Sequence, residues 1–364
     1  MSTVPVSDVL DWSRAVLVEA GLQPVDAGWV AESLVFADLR GVNTHGVMRL
    51  PTYVARIRAG GIARRHSITV QADLGALVLL DGGAGAGASI GVHSADLAIE
   101  RARTHGIGAV ITKNANHFGA CSFYTNRIAD AGMLGIVACN TESVMCAPFG
   151  GAPVLGTNPI AIAVPMSASQ RPQVDMATTT TSQGRLLIAD HAGESIPTGW
   201  AVDAGGQPTT SASEGLRGAL LPAGGPKGFG LAFAVDALLA LAGANVSTKV
   251  YALGGDPSEA QRLGHLAIAI RADGAQSLDD YRTEMSGLVA SIHASSVGLD
   301  VPAALAPGEP ELARESTAGG RIPLSPHVIA DLALLALSSG VAMPSSMIDL
   351  NRSTTTRTSG EMST

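Results

Sequence analysis

His45 and Arg49 lie four residues apart in the stretch NTHGVMR, residues 43–49. An imidazole is the side chain best suited to carry a proton near neutral pH, and a guanidinium grips a carboxylate through two parallel hydrogen bonds. Thr44 adds a hydroxyl that either orients the imidazole or caps a helix. A second imidazole, His117, stands in NANHFGACSFY, residues 114–124, directly after an apolar run. Proton transfer at a small carboxylic acid is the chemistry this set supports. The plainer alternative is a pair of surface or capping histidines.

Two more glycine-marked clusters carry polar groups. PFGGAPVLGTNP, residues 148–159, is followed by VDMATTTTSQG, residues 174–184. In PAGGPKGFG, residues 222–230, Lys227 enters a long apolar segment. A lysine among glycines at a helix N-terminus combines free amides, the positive dipole end and an ammonium, which suits a pyrophosphate. Spacing alone leaves a solvated lysine at a loop–helix junction equally open. His265 precedes the apolar run LAIAI and reads as a residue at a pocket mouth.

Other chemistries find no motif. In LVLLDGGAGAGASIG, residues 77–91, Gly85 and Gly87 match G-x-G-x-x-G but position 90 is isoleucine. The run therefore reads as a flexible turn, not a dinucleotide fingerprint. No HExxH or paired Cys/His spacing suggests a metal, and no G-x-S-x-G elbow suggests a serine hydrolase.

The elements that must carry these residues follow from periodicity. The stretches 7–21, 24–41 and 48–61 repeat apolar residues every three or four positions, so they read as helices. Ser7 is the expected cap of the first. Expected core faces are Val9, Trp12, Val16 and Ala20, then Trp29, Val30, Leu34 and Leu39, then Leu50, Tyr53, Val54 and Ile57. From about residue 76, short apolar runs (ALVLLDG, IGAVITKN, LGIVACN, NPIAIAVP, PQVDMAT and HLAIAIRA) alternate with helical segments. Such alternation favours a sheet covered by helices. We expect a mixed α+β (mixed α/β) class with units at 1–75 (helical), 76–320 (mixed sheet) and 321–350 (a C-terminal helix packing back). Residues 351–364 read as a disordered tail.

Bulk properties narrow the setting. The 364 residues carry a formal net charge of −8, without the basic face that nucleic acid requires. Three cysteines form no CxxC pair, and the N-terminus lacks a basic, apolar leader. No apolar run reaches the ~18–20 residues of a membrane span. The expectation is a cytoplasmic protein without nucleic-acid or membrane partners.

With these blocks in view the chain resembles the malate/L-lactate dehydrogenase family that is unrelated to the Rossmann lactate dehydrogenases. Its relatives include ureidoglycolate, sulfolactate and 2,3-diketogulonate enzymes and a cyclic-imine reductase. The likeness rests on ADLRGVNTHGVMRLPTYVARIRAGGI, NHFGACSFY, GTNPIAIAVP, VDMATT, IPTGWAVDAGGQPTT, GGPKGFGLA and APGEPE, in that order. It implies a non-Rossmann fold in which a helical N-terminal subdomain meets a mixed-sheet domain that binds NAD or NADP, and a homodimer. It implies catalytic roles for His45, His117 and Thr44, and a substrate grip by Arg49, with His265 the further candidate at the substrate. Cofactor contacts fall on Asn140, Asn158, Asp175, Met176, Ala177, Thr178, Lys227, Gly308, Glu309 and Pro310, with no metal. The implied reaction interconverts a small 2-hydroxy acid and its 2-keto acid. Alternatives are NADPH-dependent reduction of a cyclic imino acid and a non-catalytic nucleotide-binding protein on the same scaffold.

Overall fold

The computed structural model describes residues 3–348; the tail expected at 351–364 lies outside them. The chain opens with β1 (Thr3–Pro5), α1 (Val6–Glu19), α2 (Pro24–Leu39) and α3 (Leu50–Ala59). It continues through β2 (Thr69–Asp73), β3 (Leu77–Asp81), α4 (Gly87–His105), β4 (Ile107–Ala115), α5 (Cys121–Asp130) and β5 (Met133–Cys139). Next come β6 (Met145–Ala147), β7 (Gly150–Leu155), β8 (Ile160–Ala163), β9 (Gln173–Met176) and α6 (Gln183–Ala192). Then follow β10 (Ala201–Val202), β11 (Pro208–Thr209), α7 (Ala212–Arg217), β12 (Ala219–Leu220) and α8 (Pro226–Ala240). The chain closes with β13 (Leu263–Arg271), α9 (Leu278–Ala294), α10 (Glu309–Thr317), β14 (Arg321–Pro323) and α11 (Pro326–Ser339).

The helical layer forms as its periodicity dictates. Val9, Trp12, Val16 and Ala20 of the first segment are buried, as are Leu50, Tyr53, Val54 and Ile57 of the third. They share one core with Val30 and Leu34 of α2 and with Ile329, Leu332 and Leu335 of α11. Burying one such aliphatic side chain contributes about 1.5–3 kcal/mol. Two details differ from expectation. Trp29 turns away to lie under the Arg127 guanidinium of α5, 5.1 Å from its ring centroid. Ser7 does not cap α1, because the helix already begins at Val6 and the hydroxyl donates to Asp8 instead.

A seven-stranded sheet, ordered β2-β3-β4-β13-β5-β8-β9, forms the second layer. Only β3 and β4 run parallel; the other neighbours are antiparallel, so the class is mixed α+β and not a Rossmann fold. Adjacent residues alternate between the two faces of the sheet. Val110, Val137 and Ala267 pack under α4 and α5, whereas Ile111, Ala138 and Leu266 pack under α8 on the other side. A five-stranded sheet, ordered β11-β10-β12-β6-β7, stands beside it with α6 and α7. Among the described residues no helix is long and apolar enough to cross a membrane.

The glycine run at 82–87 is a packed junction, not a loose turn. Gly82 and Ala84 donate to the carbonyls of Lys113 and Asn114, and Asn116 Nδ2 returns bonds to Ala84 and Gly85. A Cβ on Gly87 would stand 2.2 Å from the carbonyl oxygens of both Asn116 and His117. The first turn of α4 thus presses directly on the backbone that carries His117. Gly87→Ala is expected to cost about 1–3 kcal/mol of stability through overpacking. Urea denaturation checks this; wild-type stability would mean that the junction yields freely.

Candidate active site

Between α2 and α3 the chain makes two short 3₁₀ turns, Asn43–His45 and Val47–Arg49, joined at Gly46. Asp38, near the end of α2, is buried, and its Oδ2 accepts from Val47 N at 2.8 Å. A Cβ on Gly46 would lie 1.9 Å from Oδ1 of that carboxylate, so only glycine passes. Burial pushes the Asp38 carboxyl up to about 7, against the pull of the Val47 amide. On this bend Thr44 Oγ1 meets His45 Nδ1 at 3.1 Å, orienting the imidazole and not capping a helix. Arg49 Nε donates to Thr44 O at 2.7 Å, which folds the guanidinium back beside the ring. No other hydrogen bond or ion pair engages the Arg49 guanidinium among the described residues, so its two Nη groups are available.

His117 arrives from the far side, on the connection after β4. Its amide donates to Gln261 Oε1 at 2.9 Å, while Gln261 N donates to Asn116 Oδ1 at 3.1 Å. The two imidazoles stack with centroids 5.6 Å apart and planes 17° from parallel. His117 Nδ1 bonds the hydroxyl of Tyr53 at 2.5 Å. Burial first, then the Arg49 charge, lowers His45 to about 4. Burial, with the neighbouring His45 and Arg49, holds His117 well below the ordinary imidazole value. Both rings are therefore neutral at physiological pH.

These groups line one wall of a cavity of about 690 Å³. Thr141, Glu142, Leu253 and Gly254 stand near them; Asp175, Met176, Ala177, Thr179–Arg185 and Gly308 complete other walls. The carboxylate of Asp175 is engaged at the start of α5, where its Oδ2 accepts from Ser122 N at 2.8 Å. The first turn of α6 packs against the bend, since a Cβ on Gly184 would lie 2.7 Å from Thr44 Cγ2 and 3.5 Å from Arg49 Nη2. Among the described residues no group of three His, Cys, Asp or Glu is arranged to hold a metal ion.

Other expected site residues fall elsewhere. His265 is buried in β13, the strand between β4 and β5, with its ring against Phe118 at 3.9 Å. It does not reach the cavity, and burial lowers it to about 3. Asn140 is committed to Asp236, Asn245 O and Gly264 N, and Asn158 to Ala232 O, Thr141 N and Ser247. These two fully buried amides fasten α8 and its following loop to the sheet; neither lines the cavity. Thr178 turns its hydroxyl onto Thr157 O. Lys227 is exposed outside the cavity, because Gly228 beside it pins the α8 start against Thr178 O. Glu309 and Pro310 border a second cavity of about 1060 Å³, where Glu309 bonds His293.

Sequence reasoning missed three residues. Tyr53 reads only as part of an apolar face, although its place one turn after Arg49 was a usable signal. Asp38 and Glu142 have no local signature. Arg40, which separates the two cavities, is held by Gln173 at 2.6 Å and Glu315 at 3.0 Å.

A helical layer and a mostly antiparallel sheet thus enclose two neutral imidazoles and an available guanidinium. The chain belongs to the malate/L-lactate dehydrogenase family, whose model matches residues 4–333. The L-sulfolactate dehydrogenase of Methanocaldococcus jannaschii is 38% identical over 299 residues, which span 81% of this chain and 85% of that protein. Ureidoglycolate dehydrogenase (NAD(+)) of Escherichia coli K12 is 35% identical over 280 residues, 76% of this chain and 79% of that protein. The structure of delta1-piperideine-2-carboxylate reductase from Pseudomonas syringae matches with a TM-score of 0.82 at 27% identity, covering 94% of this chain and 100% of that one.

The bend makes a prediction for stability. With a folded value near 7 and an ordinary value near 3.8, Asp38 contributes stability that is full below about pH 4 and is lost as pH rises through about 7. The difference in Tm between wild type and Asp38→Asn should therefore shrink from acid to neutral pH. A pH-independent difference contradicts the buried, protonatable carboxyl.

Proposed function

We propose that the chain is an NAD- or NADP-dependent oxidoreductase that interconverts a small 2-hydroxy acid and its 2-keto acid. The observation that carries this reading is the gathering of Arg49, His45 and His117 on one cavity wall. Family membership supports it, since the relatives named above are dehydrogenases of hydroxy acids and one imine reductase.

The cavity suits a dinucleotide. Its volume lies within the ~300–1,000 Å³ range of small-molecule sites. Among the described residues Thr181 Oγ1 is a buried hydroxyl without a partner, beside the α6 amino end where Gln183, Gly184 and Arg185 line the wall. An unpartnered donor at a helix N-terminus favours phosphate. Asp175–Ala177, Thr179–Thr181, the first turn of α6 and Gly308 would hold the cofactor, which supplies the hydride acceptor or donor.

The remaining chemistry belongs to the side chains. Arg49 holds the substrate carboxylate through its Nη groups, which sets the carbinol beside the imidazoles. A neutral imidazole takes the hydroxyl proton as the alcohol is oxidised and returns it to the forming alkoxide in reverse. Tyr53 acts as a positioning residue by holding His117 Nδ1, which leaves Nε2 facing the site. Fixed placement of the reacting groups supplies much of the acceleration. The same reading carries a homodimer, supported by well-exposed apolar residues such as Phe233, Leu241 and Leu337. It also carries a cytoplasmic location, supported by three buried cysteines without disulfides.

A panel of 2-hydroxy acids with NAD and NADP, followed at the reduced-nicotinamide absorbance, tests the activity; cyclic imines with the reduced cofactors test the alternative. No turnover in either arm sinks the enzyme reading and favours a non-catalytic nucleotide binder. His45→Ala and His117→Ala are each expected to lower kcat/KM by about 10²–10⁴-fold. Both variants at wild-type rates would refute the imidazole roles. With His45 near 4, oxidation by wild type should hold its kcat/KM from about pH 8 down to about pH 5.5. An apparent pKa near the ordinary imidazole value of about 6.5 would contradict the depressed base.

A further inference from the structure

Glu142 is a half-buried acid that the chemistry above leaves unused. It lies between β5 and β6 and lines the same cavity as Arg49, His45 and His117. Its position is fixed from behind: Thr141 N donates to Asn158 Oδ1 at 3.0 Å, and Thr141 Oγ1 donates to Glu142 O at 3.3 Å. Its Oε1 accepts a long hydrogen bond from Leu253 N at 3.4 Å, and its own amide also favours the charged form. Among the described residues no cation forms an ion pair with it.

The nearest guanidiniums are occupied or committed. Arg56 turns its Nη groups onto the carbonyls of Leu253, Asp256 and Glu259, which ties that loop down beside the cavity. Arg49 attracts Glu142 from a distance but is tied to Thr44 and, in the proposed reaction, is taken by the substrate carboxylate. Burial accordingly raises the Glu142 carboxyl above its usual range. A half-buried carboxylate in a cavity wall gains from any donor that a ligand brings to it.

We propose that Glu142 determines specificity: it selects 2-hydroxy monocarboxylates that carry a distal ammonium or N–H donor and rejects dianionic acids. This rests on the oxidoreductase reading given above. A guanidinium and a carboxyl group then line one cavity, so a ligand with one carboxylate and one donor end matches both. A second carboxylate on the substrate would meet Glu142 in a site of low dielectric, where like charges are strongly penalised. A cyclic imino acid, whose ring nitrogen is protonated, shares the same donor chemistry.

The test compares 2-hydroxy acids of matched length ending in an ammonium, a carbamoyl, a methyl and a carboxylate, plus one cyclic imino acid assayed in reduction. Wild type is expected to favour the ammonium or carbamoyl acid over the dicarboxylate by about 100-fold in kcat/KM, and Glu142→Gln to narrow that ratio to about tenfold or less. Glutamine keeps an acceptor for Leu253 N, so an unchanged Tm shows that the loop is intact. The cyclic imino acid arm reports whether the donor is an iminium or a chain-end group.

Calorimetric affinities of the same acids lacking the hydroxyl give a readout without turnover. Turnover without a charge preference, or a preference unchanged in Glu142→Gln, overturns the role of Glu142 and leaves the oxidoreductase reading standing. A Glu142-dependent binding preference without turnover keeps the role and sinks the reaction. Neither turnover nor preference overturns both.

Discussion

The cavity wall depends on the Asp38 carboxylate buried beneath Gly46. That one acceptor on Val47 N reverses the chain between two helices and sets the spacing of His45 and Arg49. A charged or protonated carboxyl in such a place is costly unless bonded, and here the bond and the missing Cβ are matched. The helical layer supplies the rigidity: Leu50, Val54 and Ile57 anchor α3 in the core, and the neighbouring face of the same helix presents Tyr53.

The opposite half of the wall comes from the sheet. β4 delivers Asn116 and His117, and the α4 junction and Gln261 hold them in place. The result is a set of groups whose charges are adjusted to one another. Arg49 is the available cation, and both imidazoles are kept neutral by burial and by its field. Glu142 is an acidic group lining the same cavity. The neutral state of the two imidazoles follows from removing water around rings that the backbone holds beside a cation.

Much of this was legible in the sequence, for identifiable reasons. β4, β5 and β13 are apolar runs bounded by turn residues, and α1 and α3 show clean helical faces. The second sheet was not legible, because β10, β11 and β12 are two residues long and depend on distant partners. Nor was the insertion of β13 between β4 and β5, a long-range pairing without local signal. At the site, His45, Arg49 and His117 stood out by residue type beside glycines. Asn140 and Asn158 entered as cofactor contacts only through the family resemblance, and His265 through its place before an apolar run. The two amides are spent on internal backbone bonds, and a central strand buries the imidazole of His265. Tyr53 and Glu142 act only through partners far along the chain, so their types alone said little.

The central claim is that two adjacent imidazoles are held neutral beside an available guanidinium. Nitrogen-15 NMR of histidine-labelled protein across the pH range tests it most directly, with His45 and His117 assigned by single substitution. Both rings are expected to keep the nitrogen shifts of neutral imidazole from about pH 8 to 5.5, with the Nδ1 shift of His117 sensitive to Tyr53→Phe. Titration of either ring near its ordinary value of about 6.5 would contradict the account.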